Sequence, residues 1–432
     1  MTFIDSSTES VLGVRELLDR LAPVSKAGVA CAGELRFYGA GDEQAWRDEM
    51  ERLVEAEQWC AGEPSAAEAA YEALAELPLI DRPLRKARVV GVLGEAELFC
   101  VKRFLFYANS LTGAAIDLLN GWGLAASCPT QIDALMEAIH PQKQPTPRFH
   151  LTSELSDELD ELRIELRRKK KLERKLRDGL ETAVVADHGG TFDIHGTFRP
   201  TEDTPPEALE RDDRLTHTHG GWKLADPPLR DYERDLDKLE EQLEELEHEI
   251  RARLSAQIAE QADWLEELAD IFARLDVRLA KVRLRRALDG CWPQWCDQPG
   301  SERGIAIEGG REPRVARLLD DRPGEDVQLV DIAVDDAPVV ITGPNMGGKS
   351  VLLRLIGICQ WCAQHALPAP AQSCRFSPVD AIIYVGSEEP SMRETTQGLS
   401  SFGREVRRLV DWWDRSDGDT SDTPRLWLLD DN

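Results

Sequence analysis

Between Gly343 and Ser350 the chain reads GPNMGGKS, which is G-x-x-x-x-G-K-[ST] with every fixed position filled. Glycines at those points let the backbone curl until several N–H groups face one centre, the geometry that holds a phosphate. A helix starting at the end of such a loop adds the positive end of its dipole to the same centre. Lys349 is spaced to reach the β and γ phosphates of a nucleotide, and the Ser350 hydroxyl can ligate Mg²⁺. The cofactors such a loop takes are a nucleoside triphosphate, expected here to be ATP, and Mg²⁺. A strand must enter the loop and a helix must leave it. The β-branched run Val339, Val340 and Ile341 supplies the first pattern, and the apolar run from Val351 supplies the second. The alternative is a Gly-rich turn before a helix, with no ligand. Near the end of the chain an apolar strand pattern, Leu426 to Leu429, finishes in Asp430, well placed to hold Mg²⁺ directly or through water.

The loop's interior, Pro344, Asn345, Met346 and Gly347, resembles the phosphate loop of the MutS family rather than those of kinases, helicases or transporters. Downstream residues agree. Leu367 to Gly386 (LPAPAQSCRFSPVDAIIYVG) resembles the family's stretch leading into its second strand, and QGLSSFGREV (Gln397 to Val406) is similar to its Ser-Thr-Phe signature. LWLLDD (Leu426 to Asp431) resembles a Walker B strand. The resemblance implies a nucleotide gripped by Gly343, Pro344, Asn345, Met346, Gly347, Gly348, Lys349, Ser350 and Val351, with Ser350 and Asp430 on Mg²⁺. Asn345 would bond the γ-phosphate or cap the following helix; both roles can hold at once. Ser400 would face the γ-phosphate held by the opposite subunit, with Ser401 the next choice and an ordinary serine N-cap the alternative. A homodimer with two composite sites follows from that reading.

Two departures from the family pattern stand out. Asp431 occupies the position where the family has Glu as the base that orients attacking water. One methylene shorter, its carboxylate would sit about 1.5 Å further back, and misplacement of that size can cost about 10²-fold in rate. With Lys349 and Asp431 as the catalytic pair, hydrolysis is expected to be slow or absent. The sequence also stops at Asn432, where the family continues with a Gly-Arg-Gly-Thr turn, a further strand with a histidine and a helical dimer lock. The expectation is a fragment or a truncated gene product, its ATPase domain incomplete at the C-terminus.

Length and composition bound what else the chain can do. Its 432 residues suffice for two or three domains. Net charge is −28 and the isoelectric point near 4.7, with Arg far outnumbering Lys, so no global basic field attracts nucleic acid. That acidity opposes DNA binding, which draws much of its affinity from Lys and Arg displacing counterions. Nine cysteines without regular spacing make no disulfide framework. Cys359 and Cys362 fall on one face of the helix after the loop and read as buried packing, the alternative being a redox or metal role. The first residues, MTFIDSSTES, lack a secretory pattern. No apolar run approaches the ~20 residues that span a bilayer, so no membrane role is expected and a reducing cytoplasm is the default location.

The expected architecture is multidomain: an α-helical core with long antiparallel coiled-coil lever arms, followed by an α/β P-loop ATPase domain of the ABC type. Residues 1–150 form the helical core, with helical patterns at Val11 to Leu21, Gln44 to Trp59 and Ala66 to Leu77. Leu79 to Leu111 resembles the start of the MutS core domain, the alternative being an unrelated helical domain. Residues 151–290 supply the arms. The outgoing helix spans about Ser153 to Leu180 on a stripe through Leu155, Leu159, Leu162, Leu166, Leu172, Leu176 and Leu180. The returning helix runs from near Leu229 past Leu279, ~75 Å at 1.5 Å per residue. An insert at about 183–224 reads as small strands and turns, and the whole resembles the lever and clamp of MutS proteins. Residues 300–432 form the ATPase domain, entered through GIAIEGGREPRV with Glu312 where the family has His. Strands are predicted at Val327 to Val334 and Pro338 to Thr342.

Two clusters in the arms carry open readings. Arg167, Arg168, Lys169, Lys170 and Lys171 form a dense basic run that either neutralises DNA phosphates or is balanced by acids of the returning helix, such as Glu240, Glu241, Glu244 and Glu245. His188, His195, His217 and His219 match no established zinc spacing. Upstream length and the lack of a Phe-x-Glu wedge near the N-terminus resemble the shorter MutS branch. That resemblance implies ATP-driven clamping of branched or recombining DNA rather than mismatch reading. The alternative is a MutS-related ATPase that remodels or reactivates a protein partner without DNA. A structural ATPase resembling the SMC group is disfavoured by the late position of the loop.

Overall fold

The computed structural model describes residues 3–89, 91–123, 127–139, 156–296, 304–320, 327–335, 337–344, 347–386, 410 and 424–430. At the start, the Asp5 carboxylate accepts from the Thr8 N–H at 2.7 Å and caps α1 (Ser6–Leu12). The chain then breaks at Gly13, so the pattern from Val11 to Leu21 is divided, and α2 (Val14–Leu21) buries Val14, Leu17 and Leu21 at helical spacing. Next come α3 (Lys26–Ala32), capped by Ser25, then α4 (Glu43–Gly62), α5 (Pro64–Glu76), α6 (Asp81–Arg88), α7 (Glu95–Gly121) and α8 (Cys128–Ile139).

The helix α9 (Asp157–His188) begins at a Ser156 cap and extends past the expected end at Leu180. A small sheet follows, built from β1 (Thr191–Phe192), β2 (Thr197–Arg199), β3 (Leu215–Thr218) and β4 (Gly221–Leu224) in the order β1-β2-β4-β3, with α10 (Pro206–Glu210) between β2 and β3. Its core is Val184, Phe198, Leu209 and Leu215. The returning helix is divided in two, α11 (Pro227–Glu260) and α12 (Ala262–Leu288). At Gln261 the N–H bonds the Ile258 carbonyl (3.1 Å), a tightened turn that ends the first helix. Neither Gly nor Pro marks the break.

The remaining elements are β5 (Gln294–Trp295), β6 (Ile305–Gly310), α13 (Pro313–Asp320), β7 (Val330–Val334), α14 (Lys349–Gln364), β8 (Ser373–Phe376), β9 (Ala381–Val385) and β10 (Arg425–Leu429). One sheet has the order β5-β8-β6-β7, and β9 pairs with β10 in parallel. The strand predicted at Pro338 to Thr342 does not form: these residues join no ladder, and Val340 is 82 % exposed. A β-branched run favours a strand through packing on a pleated neighbour, and here no described strand lies beside it.

The chain divides into two compact units, one of 1–78, 107–128 and 267–432, the other of 79–106 and 129–266. In the first, the core gathers α1, α2, α14 and the sheet around Leu12, Leu17, Trp46, Leu284, Ile307, Cys359 and Phe376. In the second, α9 and α11 pack antiparallel, joined by Arg163–Glu247 (2.7 Å), Lys169–Asp235 (2.9 Å), Lys170–Glu240 (2.6 Å) and Arg177–Glu233 (2.8 Å). Of the predicted leucine stripe on α9, Leu159 is fully buried and Leu172 is 42 % exposed. Among the described residues no helix is long and apolar enough to cross a membrane.

Candidate functional site

α14 fixes the loop, and buried amide side chains fix α14. Gln364 Nε2 donates to the carbonyls of Tyr38 (3.1 Å) and Val379 (2.8 Å), while its Oε1 accepts from Gln360 Nε2 (2.8 Å) and the Val379 N–H (3.1 Å). Trp46 Nε1 donates to the Ala363 carbonyl at 2.8 Å. Buried polar groups joined this way resist displacement, because sliding would leave them unsatisfied. Cys359 and Cys362 are fully buried in the same helix, and burial pushes both thiols well above the ordinary cysteine value. Among the described residues no three His, Cys, Asp or Glu side chains come together as a metal-ligand set, and His188 instead bonds Asp212 at 2.8 Å.

At the head of α14, Gly348 adopts φ 85° and ψ 9°, a left-handed conformation that a Cβ would oppose. It supplies no side-chain cap to the first turn. The Gly347 N–H donates to the Pro344 carbonyl (3.0 Å), closing a turn over which Lys349 folds back. Its Nζ donates to the carbonyls of Gly343 (3.1 Å) and Pro344 (3.2 Å). Ser350 and Val351 lie half-buried in the first turn. Of the residues singled out in the sequence, Gly343, Pro344 and Lys349 are thus in contact. Asn345, Met346, Ser400, Ser401 and Asp431 lie outside the described residues.

The other candidate ligand of the sequence reading, Asp430, stands at the end of β10. The ladder pairs Tyr384 with Leu428 and Val385 with Leu429, and the Asp430 N–H extends it by donating to the Val385 carbonyl (2.8 Å). The Asp430 carboxylate is buried and accepts from the Tyr384 hydroxyl at 2.6 Å. A Cβ on Gly386 would come 2.9 Å from the Cβ of Asp430, so a glycine is needed for the strands to close there. Burial, reinforced by the Asp430 carboxylate, pushes the Tyr384 hydroxyl far above the ordinary tyrosine value.

Beside α14, the buried Glu312 caps α13 through Oε2 on the Val315 N–H (2.7 Å). Its Oε1 faces Arg354 Nε at 3.9 Å, and neither atom has a hydrogen-bond partner among the described residues. Arg354 stands one helical turn beyond Ser350.

The donors present suit a magnesium-bound triphosphate: backbone amides with no side-chain cap from Gly348, an ammonium, and the hard oxygens of Ser350 and Asp430. Sequence reasoning missed Tyr384, Gln360 and Gln364. A lone tyrosine in the apolar strand AIIYV was the available signal for the first. Two glutamines inside an apolar helix were the signal for the others.

Comparison with known proteins bears on the same residues. Residues 339–413, which include the loop, match the MutS domain V family. Relatives include the DNA mismatch repair protein MutS of Salinibacter ruber, 29 % identical over 269 residues, covering 59 % of this chain and 28 % of the relative. The DNA mismatch repair protein MutS 1 of Haloarcula marismortui is 31 % identical over 189 residues, covering 43 % and 19 %. The MutS of Natronomonas pharaonis is 26 % identical over 387 residues, covering 86 % and 43 %. The chain is thus similar to MutS proteins, through the loop region and beyond it. It spans less than half the length of these relatives.

Proposed function

We propose that the chain is an ATP-dependent DNA-binding protein of the MutS type. In this reading it binds ATP at Gly343 to Val351, hydrolyses it slowly, and couples its nucleotide state to clamping of branched or recombining DNA rather than to mismatch reading. The observation that carries this is the Lys349 ammonium folded over the Gly343 and Pro344 carbonyls, at the head of a helix whose first turn Gly348 leaves without a side-chain cap. The amides and Lys349 hold the phosphates. Ser350 and Asp430 hold Mg²⁺, which when bound neutralises charge developing on the phosphate oxygens. Asp431 orients the attacking water from a carboxylate one methylene short of Glu, and Ser400 reaches the nucleotide of the opposite subunit, making a homodimer the working unit. α9 and α11 are the arms that carry the change to DNA, in the cytoplasm.

A second reading has a specific observation behind it. Lys169 and Lys170, at the centre of the basic run, are paired with Asp235 and Glu240, in a chain of net charge −28. Those pairs lower the charge the run offers to phosphates and favour a protein partner. Affinity for duplex and branched DNA over a salt series, with and without ATP, separates the two. A steep fall in affinity with salt supports DNA clamping. No binding at low salt supports a protein partner.

A further inference from the structure

We infer that Tyr384 is a positioning residue for the Asp430 carboxylate, a role that rests on the reading of Asp430 as a magnesium ligand. Two bonds from β9 reach Asp430, one to its backbone from Val385 and one to its Oδ2 from the Tyr384 hydroxyl at 2.6 Å. Both side chains belong to buried residues, Tyr384 4 % and Asp430 8 % exposed. A carboxylate at a strand end otherwise rotates over a broad range about its last torsion. The phenol fixes its plane, and being neutral it does not itself compensate the carboxylate's charge. Tyr384 is itself held, since its N–H donates to Thr8 Oγ1 at 3.2 Å. Outer groups that orient a ligand in this way are worth about 10- to 100-fold in metal affinity.

The test uses the full chain, Tyr384→Phe, Asp430→Asn and the double variant, each titrated with a fluorescent ATP analogue in EDTA and in Mn²⁺. For the wild type, Mn²⁺ is expected to tighten binding. Tyr384→Phe is expected to lose about tenfold of that gain with unchanged affinity in EDTA, and the double variant to behave as Asp430→Asn alone. Equal losses with and without Mn²⁺, or a change in thermal stability only, would make Tyr384 structural and overturn the inference. A wild type without ion dependence, or an Asp430→Asn variant that retains it, would instead remove the reading of Asp430 itself. Should Tyr384→Phe not fold, the tyrosine ultraviolet difference spectrum on adding Mn²⁺ and nucleotide decides: a signal in the wild type that Asp430→Asn lacks is expected, and no signal overturns the inference.

Discussion

The Lys349 ammonium stands 3.1 Å from the carbonyl of Gly343, six residues earlier, so the loop's cation is held by the loop's own backbone. That contact depends on the chain reversing at Gly348, whose φ of 85° is costly for any residue with a Cβ.

Gly348→Ala is therefore expected to destabilise the first turn of α14 by about 1–2 kcal/mol and to weaken nucleotide binding by more than tenfold. Urea denaturation and a nucleotide titration on the same protein check both numbers. Unchanged affinity would mean the reversal does not shape the site.

Asp276 is fully buried and accepts from the Ser25 N–H (2.7 Å), the Ser25 hydroxyl (2.6 Å) and the Val24 N–H (3.1 Å). Asp276→Ala leaves those donors without their acceptor and is expected to cost about 3 kcal/mol. Asp276→Asn, which keeps a carbonyl oxygen, should cost less. Denaturant midpoints of the two variants measure the difference.

His365 gives the fold a pH dependence of known sign. It is stacked on Trp361 with centroids 4.2 Å apart, and its Nδ1 lies 2.7 Å from the Trp361 carbonyl oxygen. Burial, aided by the nearby Lys281 charge, pushes its pKa down from 6.5 to about 4. The unfolded chain therefore binds this proton more readily, so stability rises with pH between about 4 and 6.5 and is lost as pH falls through that window. The contribution is about 3 kcal/mol. His365→Phe should flatten the slope of unfolding free energy against pH in that interval, and an unchanged slope would assign the effect elsewhere.

Much of this was legible in the sequence. The helix after the loop, the strand ending at Asp430 and the long helices α9 and α11 follow from apolar spacing, whereas the antiparallel arrangement of the two was expected from the family resemblance. Two features were not. The break at Gln261 carries no Gly or Pro, and the strand before the loop needed a neighbour that a local pattern cannot reveal. The Tyr384 to Asp430 bond was hidden for a related reason, since it depends on the register between strands about 40 residues apart in sequence.

The ion pairs on α9 make a further prediction. Asp235→Asn combined with Glu240→Gln releases Lys169 and Lys170. If the basic run meets DNA, affinity should rise and the slope of log affinity against log salt should steepen by about two. A slope equal to that of the wild type would place the run away from nucleic acid.

Titration of the wild type and Lys349→Ala with ATP in Mg²⁺ tests the central claim most directly. The wild type is predicted to bind, and the variant to lose binding by at least about 10²-fold through the missing charge on the phosphates. Equal affinity in the two proteins would contradict the assignment of Gly343 to Ser350 as a phosphate loop.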